Sequence, residues 1–196
     1  MTAHDTQSPD PDPAGSVIAP LAPGRWGVDP MHSSIVFSIR HLGLSRVRGR
    51  FGRFDASLHV GSSLDETRVE ATVYTASVDT NQAERDEHLV SAAFLDVANH
   101  PVMRFTSTRI TGAGHDWRMD GELTILGRTW PFGFDVEFYG IEDFDVDNTR
   151  RAGFGARGDL KRSEFGLDFG LPAAKGILLG DSVTFELDMQ FIEPAR

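Results

Sequence analysis

The 196-residue chain carries 19 Lys and Arg against 29 Asp and Glu, a formal net charge of −10, with 40% hydrophobic and 24% charged residues. These are the proportions of one globular domain, and they exclude a disordered or helix-spanned membrane composition. The acidic excess without a clustered Lys/Arg surface argues against a general affinity for nucleic acid or anionic membranes, and the absence of Cys excludes disulfides, thiolate catalysis and Cys-ligated metal.

Residues 1 to 24 are rich in Pro and Asp and read as a mobile tail, with Val17-Ile18-Ala19-Pro20-Leu21 as its only apolar stretch. The tail has neither a basic start nor an apolar run of signal-peptide length, so the expected location is the cytoplasm. From Trp26 onward the dominant signal is a period of two. A short strand at Trp26 is followed by strands at 34–41, with Ile35, Phe37 and Ile39 on one face, at 46–60, and at 67–78, with Val69, Ala71 and Val73 together. Residues 81–95 read as the single helix: Asn81 caps with Glu84 three residues on, and Leu89, Ala92, Ala93 and Phe94 form the apolar stripe. A strand at 101–111 contains Phe105.

The alternation is clearest in the second half. Met119, Leu123 and Ile125 alternate with Asp120, Glu122 and Thr124, and Leu126-Gly127-Arg128-Thr129 reads as the turn into 130–139. There Trp130, Phe132, Phe134, Val136 and Phe138 share a face. A strand at 150–162 follows, then one at 182–192 with Val183, Phe185, Leu187, Met189 and Phe191 aligned. About eight antiparallel strands and one short helix make an all-β domain over 25–196. One helix cannot cover such a sheet, which must close as a barrel or fold as a sandwich to hide its dry face and its edges. Periodicity alone does not choose between the two.

Six short motifs occur in order from Trp26: Trp26-Gly27-Val28-Asp29-Pro30-Met31-His32-Ser33; Phe37-Ser38-Ile39-Arg40-His41-Leu42-Gly43; Arg48-Gly49-Arg50-Phe51-Gly52-Arg53-Phe54; Ser77-Val78-Asp79-Thr80 with Arg85-Asp86-Glu87-His88-Leu89 and Phe94-Leu95-Asp96; Gly121-Glu122-Leu123-Thr124-Ile125-Leu126-Gly127; and Lys161-Arg162-Ser163-Glu164-Phe165-Gly166-Leu167. The ordered set resembles the YceI-like family. That resemblance implies a lipocalin-like antiparallel barrel with one helix, often dimeric, whose elongated interior holds a polyisoprenoid or comparable long-chain lipid. Two features depart from the family pattern: many relatives carry a signal peptide, and Phe94-Leu95 stands where many have two consecutive Phe.

An eight-stranded barrel is either filled by its own side chains or just wide enough for one small ligand. The expected lining is Ile35, Phe37, Ile39, Phe105, Leu123, Ile125, Phe132, Phe134, Phe165, Phe185, Leu187 and Met189, an aromatic and branched surface for an isoprenoid chain. Arg40, His41 and Arg162 are candidates to meet a diphosphate or quinone oxygen at the rim, with a surface or capping role as the alternative. Arg85-Asp86-Glu87-His88 is expected to solvate the helix or tie it to a strand, and the loop Leu167–Gly180 to border the cavity mouth. The seven His show no metal-ligand spacing, and Asp29, His32 and Ser33 lie too close in sequence for a triad, with Asp29 and Ser33 expected to shape the turn into the next strand.

The expected function is carriage or sequestration of a long isoprenoid, with no cofactor beyond the bound lipid or quinone and with a homodimer as one option. An enzyme using His41, His32 or Arg162 in the same cavity is the rival, and a solid structural module the third class.

Overall fold

Strands that bury one face and wet the other are stable only when the dry faces meet, and in this chain they meet by closing a ring. The computed structural model describes residues 21–144, 149–170 and 178–194. Along these run β1 (Gly24–Val28), β2 (Ser34–His41), β3 (Ser45–Phe51), β4 (Phe54–Val60), β5 (Arg68–Tyr74), β6 (Val78–Asp79), α1 (Ala83–Val90), β7 (Val102–Ala113), β8 (Asp116–Ile125), β9 (Arg128–Phe144), β10 (Thr149–Lys161) and β11 (Leu179–Ile192). Neighbours pair antiparallel in the order β1-β4-β5-β7-β8-β9-β10-β11, and β11 pairs again with β1, so the eight form a closed barrel. The sandwich alternative is thereby excluded.

The remaining pieces lengthen three of these strands. Along one edge of β11, Phe191 faces Val28 of β1 and Leu187 faces Ile35 of β2, so β2 continues β1 after the excursion at residues 29–33. In the same way β3 runs into β4 across Gly52-Arg53, and β5 into β6 across a 3-10 turn at Thr75–Ser77. The expected unbroken strands at 46–60 and 67–78 are therefore each interrupted once. Both breaks let a strand bend as it passes from the ring into the sheet extension β2-β3-β6.

Asp29 organises the excursion. Its carboxylate accepts from the Met31 amide (3.0 Å) and bonds the His32 ring (2.8 Å), and Arg151 on β10 donates to it as well. Ser33 and the backbone of Gln190 stitch the loop to β11. Burial by itself raises the Asp29 carboxyl, but the His32 bond, the Met31 amide and the Arg151 charge outweigh it and hold the group below its ordinary value of 3.8. These residues shape a turn, as their spacing suggests.

The helix is shorter than its sequence pattern. It ends at Val90, leaving Ala92 and Ala93 exposed, and its N-cap is Gln82 without a side-chain cap, because Asn81 adopts φ 61° outside the helix. In place of the expected capping box, Asp86 accepts from the Thr80 amide (3.0 Å) and hydroxyl. At the other terminus Leu21 is buried and β1 begins at Gly24, so residues 21–24 belong to the folded unit; 1–20 lie outside the described residues.

Fourteen Phe and 20 Gly work together in this barrel. A Cβ at Gly49 would stand 2.4 Å from Phe37 Cζ, and one at Gly158 would stand 2.7 Å from Phe132 Cζ. Rings thus lie across neighbouring strands where glycine leaves room.

Candidate ligand-binding cavity

The barrel is hollow. Two chambers, of about 140 and 510 Å³, meet at Met103 and Phe185, which line both. Even the smaller exceeds roughly tenfold the ~10–15 Å³ that admits one water. The inner chamber is walled by alternate residues of the ring strands, among them Ile35, Phe105, Leu123, Phe134, Leu187 and Met189, and every lining residue except the exposed Arg104 is apolar. Its aromatic walls interlock edge to face: Phe134 lies 5.3 Å from Phe105 and 4.8 Å from Phe132, both near-perpendicular. Among the described residues no buried side-chain nitrogen or oxygen lacks a hydrogen-bond partner, so nothing in this wall calls for a polar guest.

The outer chamber differs in composition. Phe37, Ile39, Ile125, Leu160 and Val183 form its apolar wall, while His41, Ser45, Thr80, Arg85, His88 and Arg162 bring polar groups to it. Arg85 is braced by Thr80, its Nε donating to the hydroxyl (2.7 Å) and its Nη2 to the carbonyl (2.8 Å). Its Nη1 has no partner among the described residues. His88 packs edge-on against Phe94 (5.2 Å) and Phe169 (4.8 Å), which lie 4.9 Å from each other. This aromatic trio borders the cavity where α1 meets the segment after β10. Leu167, Phe169, Leu178 and Leu179 line the same chamber, and 171–177 of the expected mouth loop lie outside the described residues.

Of the residues expected at the site, Ile35, Phe105, Leu123, Phe132, Phe134, Leu187 and Met189 line the inner chamber, Phe37, Ile39, His41, Ile125 and Arg162 the outer, and Phe185 both. Two of the expected residues line neither chamber. Arg40 is exposed and lines neither chamber, because strand alternation turns it away from Ile39 and His41. Phe165 is buried but lines neither, because the 3-10 turn Arg162–Phe165 breaks the two-residue period that would aim it inward. Trp130, grouped with Phe132 by alternation but not expected in the lining, is 45% exposed and lines neither chamber.

Arg162 is only 2% exposed and is heavily committed. Its guanidinium donates to the carbonyls of Gly180 (2.8 Å), Leu167, Phe169 (2.7 Å) and Leu179 (3.2 Å), which use four of its five N–H bonds. Burial pushes it below its ordinary value, with Asp181 and Asp168 opposing. Its main work is to hold the mouth segments together. Arg85 and His88, read from sequence as solvating the helix, face the cavity instead; with Leu89 they fall at i, i+3 and i+4, a spacing that marks one helical face. His32 lines neither chamber, so His41, His32 and Arg162 are not brought together. Among the described residues no group of three or more His, Asp or Glu is placed to hold a metal ion.

Comparison with known proteins points one way. The model of the YceI-like domain matches residues 26–191. A UPF0312 protein of Pectobacterium atrosepticum is 39% identical over 168 residues, covering 85% of this chain and 86% of that protein. Protein YceI of Escherichia coli is 38% identical over 176 residues, covering 87% and 88%. Among solved structures, the Campylobacter jejuni YCEI protein superposes with a TM-score of 0.69 at 28% identity, covering 80% of this chain and 91% of that one. A polyisoprenoid binding domain from Saccharophagus degradans, implicated in plant cell wall breakdown, superposes with a TM-score of 0.67 at 12% identity, covering 86% and 98%, a likeness of fold.

Proposed function

The chain belongs to the YceI-like family, and from that premise we propose that it binds a long-chain isoprenoid lipid, a quinone or polyprenyl compound, in the barrel and transports, stores or sequesters it without turnover. The observation that carries this reading is the pair of adjoining chambers, one lined by apolar side chains apart from Arg104 and one that also carries polar groups. The tail of the lipid lies in the inner chamber, where each buried CH₂ contributes about 0.8 kcal/mol. Its polar end lies in the outer chamber near Arg85, His41 and His88, where the unpartnered Nη1 of Arg85 can donate to a diphosphate or a quinone oxygen.

Mass spectrometry of an organic extract of the natively purified protein tests the reading. One long isoprenoid lipid per chain is the expected result. An extract free of lipid, together with no binding of an added polyprenyl diphosphate, contradicts it.

A further inference from the structure

Two hairpins of the barrel turn through Leu-Gly. At Leu126-Gly127, between β8 and β9, φ is 52° and 72°; at Leu42-Gly43, between β2 and β3, it is 52° and 71°. A left-handed leucine is unfavourable, since its Cβ crowds the backbone in a region suited to Gly, Asn or Asp. Leu126 offsets that cost by packing on the core. Leu42 does not: it is 52% exposed, and Leu44 beside it is 85% exposed. Phe169 (40%) and Leu178 (41%) are exposed apolar groups of the same mouth, and the Leu42 amide donates to the Leu178 carbonyl at 2.9 Å, which fixes the hairpin tip against that segment.

The flanks of this tip are basic despite the net charge of −10. Arg40, Arg46 and Arg48 are exposed and form no ion pair among the described residues, whereas Arg50 is bound to Asp79 (2.8 Å). Arg40 and Arg46 are direct cross-strand partners, an arrangement of like charges that weakens a hairpin unless an external anion relieves it. Exposed acids sit next in sequence to lining residues of the outer chamber, Glu84 and Glu87 beside Arg85 and His88 on α1 and Asp168 beside Phe169, so the basic character is that of the hairpin.

We infer that the β2–β3 hairpin is a docking element for an anionic lipid surface, its leucines entering the interface and its arginines resting on the head groups. Exposed apolar side chains beneath a collar of cations are the composition of an interfacial anchor. The cost of a left-handed leucine and of facing arginines is then recovered on the membrane. His41 at the base of the tip lines the outer chamber, so docking places the cavity mouth at the bilayer. This inference is independent of what fills the chambers.

Sedimentation with vesicles tests it, using equal parts phosphatidylglycerol and phosphatidylcholine against phosphatidylcholine alone. At low salt the wild-type protein is expected to bind the anionic vesicles at least tenfold more tightly, with most of the difference lost at high salt. Leu44→Asp and Arg46→Glu, both at exposed positions, are each expected to reduce that binding at least tenfold with unchanged thermal stability and unchanged co-purified lipid. Met31→Asp, at an 87% exposed methionine before the other end of β2, should bind as wild type. Equal binding to both vesicle types, or tip variants that bind like wild type, overturns the proposal. So does a concentration-dependent dimer abolished by Leu44→Asp in a protein that ignores vesicles, which would place a second copy on the tip.

Discussion

The inner chamber takes its walls from side chains that alternate along ring strands, whereas the outer chamber draws on strands, on one face of α1 and on the connection between β10 and β11. The first is a consequence of pleat geometry and is dry for that reason. The second is assembled from parts far apart in sequence, and this is how polar groups such as Arg85 and His88 reach an otherwise apolar cavity. A guest that satisfies both must itself be two-ended. The difference between the chambers is therefore a statement about the ligand, and it can be broken at either end.

The largest effect is expected from Phe132→Asp, which puts an unpaired carboxylate among the buried rings of the inner chamber and should cost ~4 kcal/mol or more, seen as loss of folding in thermal denaturation or loss of co-purified lipid. Asp135→Asn, three residues on but 82% exposed in its bridge to Arg118, should cost no more than about 1 kcal/mol. Ala71→Phe fills the inner chamber without adding charge. In a chain-length series of polyprenyl ligands, measured by fluorescence competition, it should weaken the long members at least tenfold and leave the short ones nearly unchanged.

Arg85→Gln acts at the other end. It should weaken a polyprenyl diphosphate about tenfold, close to 1.4 kcal/mol by calorimetry, and leave the matching hydrocarbon unaffected. The smallest effect belongs to the turn between β1 and β2, which lines neither chamber. Because Asp29 is held below its ordinary value in the folded state, its contribution is complete above about pH 4 and is lost as pH falls through the folded value. Asp29→Asn should therefore lower stability by about 1 kcal/mol at neutral pH, with the deficit shrinking toward pH 3 in chemical denaturation, and should change neither chamber's preference.

The same contrast explains what could be read from the sequence. Strict alternation in residues 182–192 predicts β11 and its inward face, and the same rule gives the part of the inner lining that comes from Ile35, from Val69, Ala71 and Val73, from Met119 and Leu123, and from Phe132, Phe134 and Val136. Where the alternation is interrupted, the reading misses. The 3-10 turn at Arg162–Phe165 removes Phe165 from the lining, and the helix end at Val90 undoes the stripe through Ala92 and Ala93. Arg40 lies off the cavity for a different reason: a strand sends adjacent residues to opposite faces, so Arg40 cannot share the inward direction of His41. Arg85 and His88 read from sequence as solvating the helix or tying it to a strand, because a helix face acquires its partner only in three dimensions, and only the 85–88–89 spacing marks a cavity-facing stripe. The net charge likewise hid the local basic character of the β2–β3 hairpin.

The central claim is that one lipid spans both chambers with its tail inward. Isotope-filtered nuclear Overhauser spectra of the protein with a bound polyprenyl diphosphate test it most directly. The terminal methyls of the tail should contact Met119, Phe134 and Met189, and protons beside the diphosphate should contact Leu89 and Phe94. Terminal methyls that contact only the outer residues, or a diphosphate end found among the inner rings, would contradict it.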